Sequence, residues 1–230
     1  MCALIPAFPH DFGIVRRLKR LRELGRDAAG LALIEFAYTL PIFVGFGLVG
    51  IEFTNVVLAH QKTERIASTI ADQVASNQVP PNERQIRDMF GAVDLIASPF
   101  DFDANGNVII TAVVGIRDPE DDEIQNKIAW QRCRVKDGFE STIGEQWEDS
   151  IDVADGPEVD LPNDIELTQN QMVIVVEVFF PYSEIISAEI VDGFLPNDGI
   201  FQERAMYRTR GGALMSITPV TGVEEQSCET

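Results

Sequence analysis

From Leu31 to Ala59 the chain reads LALIEFAYTLPIFVGFGLVGIEFTNVVLA, apolar around every side of a helix and not along one stripe. Phe36 to Ile51 runs 16 residues without a charge. At 1.5 Å per residue that is about 24 Å, and the apolar flanks extend it past the ~30 Å of a bilayer's hydrocarbon. The density of Phe, Leu, Val and Ile, together with Gly45, Gly47 and Gly50, favours a membrane helix over the buried core helix of a soluble protein. The pattern therefore predicts a transmembrane helix over 31–59. Pro41 lies inside it, where it removes one backbone hydrogen bond and loosens the helix.

The period then changes. Ala59, Ile66, Ala67, Ile70, Ala71 and Val74 recur at helical spacing, with Lys62, Glu64, Arg65 and Asp72 off the stripe. This predicts that the helix continues from Phe53 to about Asn77 and ends before Pro80-Pro81. Asn82 followed three residues later by Gln85 reads as a capping box, so a second helix should start there. Its apolar face is Ile86, Met89, Phe90, Val93 and Ile96 or Ala97, and Ser98-Pro99 ends it. Amphipathic helices thus occupy 60–97. Beyond 98 the signals are strands: Val108–Ile116 and Met172–Phe180 are β-branched runs, and Ile128–Val135 and Glu203–Arg210 are weaker ones. In the second run Met172, Ile174, Val176, Val178 and Phe180 share one face and Glu177 points to the other. The expected fold class is α+β, a long N-terminal helix packed on a small antiparallel sheet of about four strands.

Charge divides the chain at the same places. The 230 residues carry 37 acids and 18 bases, net −19. Residues 1–30 hold six bases and three acids, net +3, whereas residues 53–230 hold 12 bases and 32 acids, net −20. The basic arm before the span predicts residues 1–30 in the cytoplasm and residues beyond 59 on the other side. So acidic a body is a poor nucleic-acid binder, which needs clustered Lys and Arg. Histidines number two, His10 and His60, and cysteines three, which disfavours His-based catalysis and gives no zinc set. Between Asp137 and Glu203 there are 17 acids and no base. Over 137–169 apolar residues are sparse and Pro and Gly recur, so this stretch reads as a flexible, exposed loop.

Glu35 stands apart, a carboxylate at the cytoplasmic end of the apolar segment. It is either a border residue reaching the headgroups or a functional group, since acids are costly inside a membrane. Its surroundings are Arg26-Asp-Ala-Ala-Gly30-Leu31-Ala-Leu-Ile-Glu35-Phe36. A basic leader ending in Gly, four apolar or small residues, then Glu and an aromatic resembles the prepilin peptidase site of type IV pilins. The resemblance implies a cut between Gly30 and Leu31, before the apolar run and not after it as in a secretory signal. Glu35 becomes the fifth residue of a 200-residue mature chain, available to a neighbouring subunit's new α-amine. More specifically, Gly30, Glu35-Phe36, Leu40-Pro41 and the Ala- and Gln-rich helix from Gln61 to Gln78 resemble the TadE-like family of the tight-adherence (Tad/Flp) pilus. Trp130-Gln-Arg-Cys133 and the strand ending Phe180-Pro181-Tyr182 also look like longer TadE-like proteins. Glu52, a second acid in the segment, departs from the pattern; it marks an outer interface or shortens the span.

This resemblance implies a pseudopilin or minor pilin with a pilin-like α+β fold, an inner-membrane single span and a periplasmic acidic domain over 98–230. Its implied partners are a prepilin peptidase and other pilins and pseudopilins, with possible entry into the pilus and no cofactor. An uncleaved, TadG-type periplasmic assembly factor keeps the topology without processing, and a membrane-anchored periplasmic enzyme is the third reading. Cys2 lies in the leader; Cys133 and Cys228 remain, an even pair in an oxidising compartment, expected to bond to each other or else to stay as two thiols. Asp101-Phe-Asp103-Ala-Asn105-Gly106 matches half of a calcium loop, but its twelfth position is Ala112, so an Asn-Gly turn feeding a hairpin is the preferred reading.

Overall fold

A computed structural model of the chain describes residues 28–103, 106–118, 122–135, 138–146, 153–184, 196, 199–212 and 216–228. The leader up to residue 27, with Cys2 and His10, lies outside the described residues, as do residues 104–105 and 147–152. Helix α1 spans Ala28–Ala75 and is 48 residues long, with Pro41 inside it. The chain divides into two compact units, one ending at Ile51 and the other starting at Glu52.

In the first unit the apolar side chains of α1 are exposed, Val49 alone among those described being partly buried. Leu31, Leu33, Phe36, Leu40, Phe43, Val44, Phe46 and Ile51 are all exposed. A helix that is apolar all round needs a non-aqueous surrounding, and α1 is the one described helix long and apolar enough to cross a membrane. Leu31 to Ile51 is 21 residues, about 30 Å of helix and so one hydrocarbon thickness.

The second unit is α+β. One face of α1 from Glu52 onward enters its core, beginning with Val56 and Ala59 and continuing through Ile66, Ile70 and Val74. Residues 52–59, read from the sequence as part of the span, thus contribute a face to the second unit. Helix α2 follows at Glu83–Ala97, and its capping box forms: the Asn82 side chain accepts from the Gln85 amide and the Gln85 side chain from the Asn82 amide, both at 2.9 Å. Such a cap contributes about 1 kcal/mol. Ile86, Met89, Phe90, Val93 and Ala97 are buried as the periodicity predicts, and Ile96 is partly buried.

Four strands form one antiparallel sheet: β1 Asn107–Arg117, β2 Ile124–Cys133, β3 Met172–Pro181 and β4 Ile200–Arg208, in the order β2-β1-β3-β4. The register pairs Ile110 with Val176 and Val176 with Ala205. A bulge between Ala112 and Val113 lets Trp130 and Ile128 face opposite sides. Val108, Ile110, Met172, Ile174, Val176 and Val178 meet the helices in one core.

The other face of the sheet corrects the sequence reading. Residues 137–169 are expected there as an exposed loop. Their described parts instead cover the sheet, with Ile143, Val159, Leu161 and Leu167 buried against Val113, Ile128, Val173 and Val175. Among the described residues, two short 3-10 turns interrupt the irregular path, at Val153–Asp155 and Pro162–Asp164. The physical reason is local: the segment looks polar as a whole because its apolar residues come singly between acids. Single residues suffice to clothe a sheet face that would otherwise leave a row of valines wet. Glu177 points to this side as expected, is fully buried, and accepts from the Ser141 hydroxyl at 2.5 Å, from the Thr142 amide at 3.1 Å and from the Thr142 hydroxyl.

Candidate functional site

Gly30 and Leu31 lie in helical backbone of α1, and both are exposed. Glu35 is exposed four residues further on, on the same helix face as Leu31. Among the described residues Glu35 has no ion pair. Among the described residues nothing packs against Gly30. Its backbone conformation is helical, and a Cβ placed there meets nothing within 4 Å. Glycine inside a helix costs about 1 kcal/mol relative to alanine, so no described feature of this chain favours it over a larger residue.

Glu52 resolves the departure noted in the sequence. Its side chain is fully buried in the second unit and accepts a hydrogen bond from the Tyr182 hydroxyl at 2.9 Å. Burial pushes the Tyr182 phenol above its ordinary pKa, and the hydrogen bond to Glu52 and the charges of Glu52 and Glu184 push it the same way. Phe100 and Phe201 flank the phenol ring edge-on, at centroid distances of 6.2 and 5.8 Å. The sequence points to Tyr182 only through the family resemblance. No local signal joins positions 130 residues apart.

Two further residues meet at this end of β4. His60 Nδ1 is 3.0 Å from Glu203 Oε1, with the imidazole half exposed. Burial pushes the Glu203 carboxyl above the usual carboxylate range; His60 opposes that shift and Glu64 adds to it.

Cys133 and Cys228 are bonded to each other, with their Cα atoms 4.8 Å apart. Cys133 ends β2, so the bridge ties the C-terminal tail to a sheet edge.

The calcium-like loop is closed by a guanidinium. Arg134 reaches Asp103 at 2.7 Å and Asp94 at 2.9 Å, and its guanidinium lies 5.4 Å from the centre of the Phe102 ring. The Asn107 amide is used in starting β1, donating to the Val135 carbonyl and accepting from the Val108 and Val135 amides. Asp103 and Asn107 therefore serve a turn and a strand start, and among the described residues no group of three or more His, Cys, Asp or Glu side chains is arranged to hold a metal ion.

Comparison with protein-family models, with curated proteins and with solved structures yields no match to this chain.

Proposed function

We propose that this chain is a TadE-like, pilin-type subunit of a Tad/Flp pilus, made as a precursor and cut by a prepilin peptidase between Gly30 and Leu31. The carrying observation is Gly30 itself. It ends the basic arm and precedes an exposed apolar helix of one bilayer thickness, with Glu35 five residues on. Gly45, Gly47, Gly50 and Gly91 are equally free of close neighbours, so what sets Gly30 apart is its place between the basic arm and Glu35.

In this reading the basic arm holds residues 1–30 in the cytoplasm until the peptidase reaches the site. Hydrolysis of the Gly30–Leu31 amide leaves a carboxylate on the discarded leader and an α-amine on Leu31. The mature chain keeps 12 bases and 34 acids, net −22. The new amine sits four residues before Glu35, and a carboxylate partnering that amine in a neighbouring subunit sets register between helices. The α+β unit, pilin-like in this account, is then displayed outside the inner membrane.

Co-expression with a prepilin peptidase tests the reading. The wild-type chain should lose the mass of residues 1–30, and Gly30→Leu should stay full length. Equal processing of both chains, or of neither, counts against the proposal. An uncut wild type leaves the single-span assembly factor as the surviving account.

A further inference from the structure

The C-terminal tail crosses the open side of β2, and what it covers differs from what holds it. At its root Ile217 is buried, and Thr218 exchanges backbone hydrogen bonds with Pro81 and Glu83. From Pro219 to Glu225 every side chain is exposed or only partly buried. At its tip the Gln226 carbonyl accepts from the Cys133 amide at 2.9 Å, and the Gln226 amide donates to the Glu83 carboxylate at 3.5 Å. Glu225 pairs with Arg132 at 2.6 Å, and Cys228 is bonded to Cys133. Glu225 is 61% exposed while Arg132 is 8% exposed, so the pair is open to water on the tail's side alone. Two hydrogen bonds, one of them long, and one half-exposed ion pair do not compete with a covalent bond as a fastening.

Beneath the tip lie groups that the fold otherwise keeps dry. Cys228 packs on a small apolar cluster of Ile109, Cys133 and Phe179, where Phe139 stacks on Phe179 at 5.0 Å. Arg132 and Glu83 form a buried pair at 2.7 Å next to Glu225. The Cys133 amide is the last β2 donor and points to the tail, away from β1.

We infer that residues 219–228 form a redox-releasable strap, locked over the end of β2 by the Cys133–Cys228 bond. A dithiol partner opens it by thiol–disulfide exchange: the Cys133–Cys228 bond breaks, both sulphurs leave as thiols, and the partner takes up the disulfide after giving two electrons and two protons. Opening frees the tip, wets the Ile109–Phe179 cluster and presents the end of β2 as an unpaired strand edge. No residue of 219–228 belongs to the core between the sheet and the helices.

Amide hydrogen exchange on the full-length chain in detergent micelles, with and without a phosphine reductant, tests this inference. Reduction should speed exchange at Cys133 and Gln226 at least tenfold and leave Ile174 and Val176 slower to exchange than either. Cys228→Ser should reproduce that pattern without reductant. Unchanged exchange at Cys133 would show that the tip is held without the bond. Loss of protection at Ile174 and Val176 together with the tail would show a bond that supports the whole fold, and either result overturns the strap.

Discussion

The Tyr182 hydroxyl donates to the buried carboxylate of Glu52 across 130 residues of sequence, at 2.9 Å. This bond fastens the end of β3 to the first residue of the second unit's share of α1. It explains why an acid can stand directly after a bilayer's length of apolar helix: the carboxylate is inside protein, with a hydrogen-bond donor.

Tyr182→Phe should therefore destabilise the second unit by about 1.5–3 kcal/mol, the usual worth of a hydrogen bond to a charged group. For a unit of this size that lowers Tm by roughly 3–10 °C. Thermal unfolding followed by near-ultraviolet circular dichroism checks it, and an unchanged Tm would show that the bond contributes nothing.

The same phenol gives an alkaline signature. Tyr182 is held above its ordinary pKa of 10, so the folded chain keeps a proton that the unfolded chain loses. The unfolded state binds fewer protons above pH 10, and stability must fall there as pH rises. Below pH 10 both states are protonated, so the stability is present in full and no longer changes with pH. Tyr182→Phe should flatten the alkaline limb of a stability–pH curve; equal slopes in both proteins would contradict the assignment.

Leu161 lies in the acidic connection yet is buried at 3% exposure. Leu161→Ala should cost about 2–4 kcal/mol by chemical denaturation, as in a core. Val79→Ala, at a residue 70% exposed, should stay within about 0.5 kcal/mol of wild type. Similar small effects at both positions would mean that the connection does not pack.

Arg132 and Glu83 are both nearly buried, and removing one member of such a pair leaves a stranded charge. Glu83→Ala should cost about 3 kcal/mol, less the part that Glu225 recovers. A urea titration showing no loss would place the pair in water.

Much of this fold is legible in the sequence. Apolar residues on every side of a helix identify the span, and the 82–85 spacing marks the start of α2 without knowledge of any contact. β1 and β3 lie within one residue of their expected ends because both are buried on two faces and read as continuous apolar runs. The edge strands are blurred: β2 begins at Ile124, and its opening Ile-Gln-Asn-Lys carries no apolar run. β4 likewise starts earlier than its pattern suggests, at Ile200.

The connection over 137–169 misleads because averaging erases its few anchoring residues. Within the candidate site, Gly30, Leu31 and Glu35 are legible as a spacing, and Cys133 with Cys228 as a remaining pair. Tyr182 as the partner of Glu52, Arg134 in place of a cation, and the route of the tail are not. Each depends on which distant strand ends meet, and short-range patterns carry no record of that.

The central claim is that the chain is cut between Gly30 and Leu31, and the N-terminal residue of protein purified from membranes of its own cell tests it most directly. The account predicts a chain beginning at Leu31, with residues 1–30 gone. A chain that still begins at Met1 would contradict it.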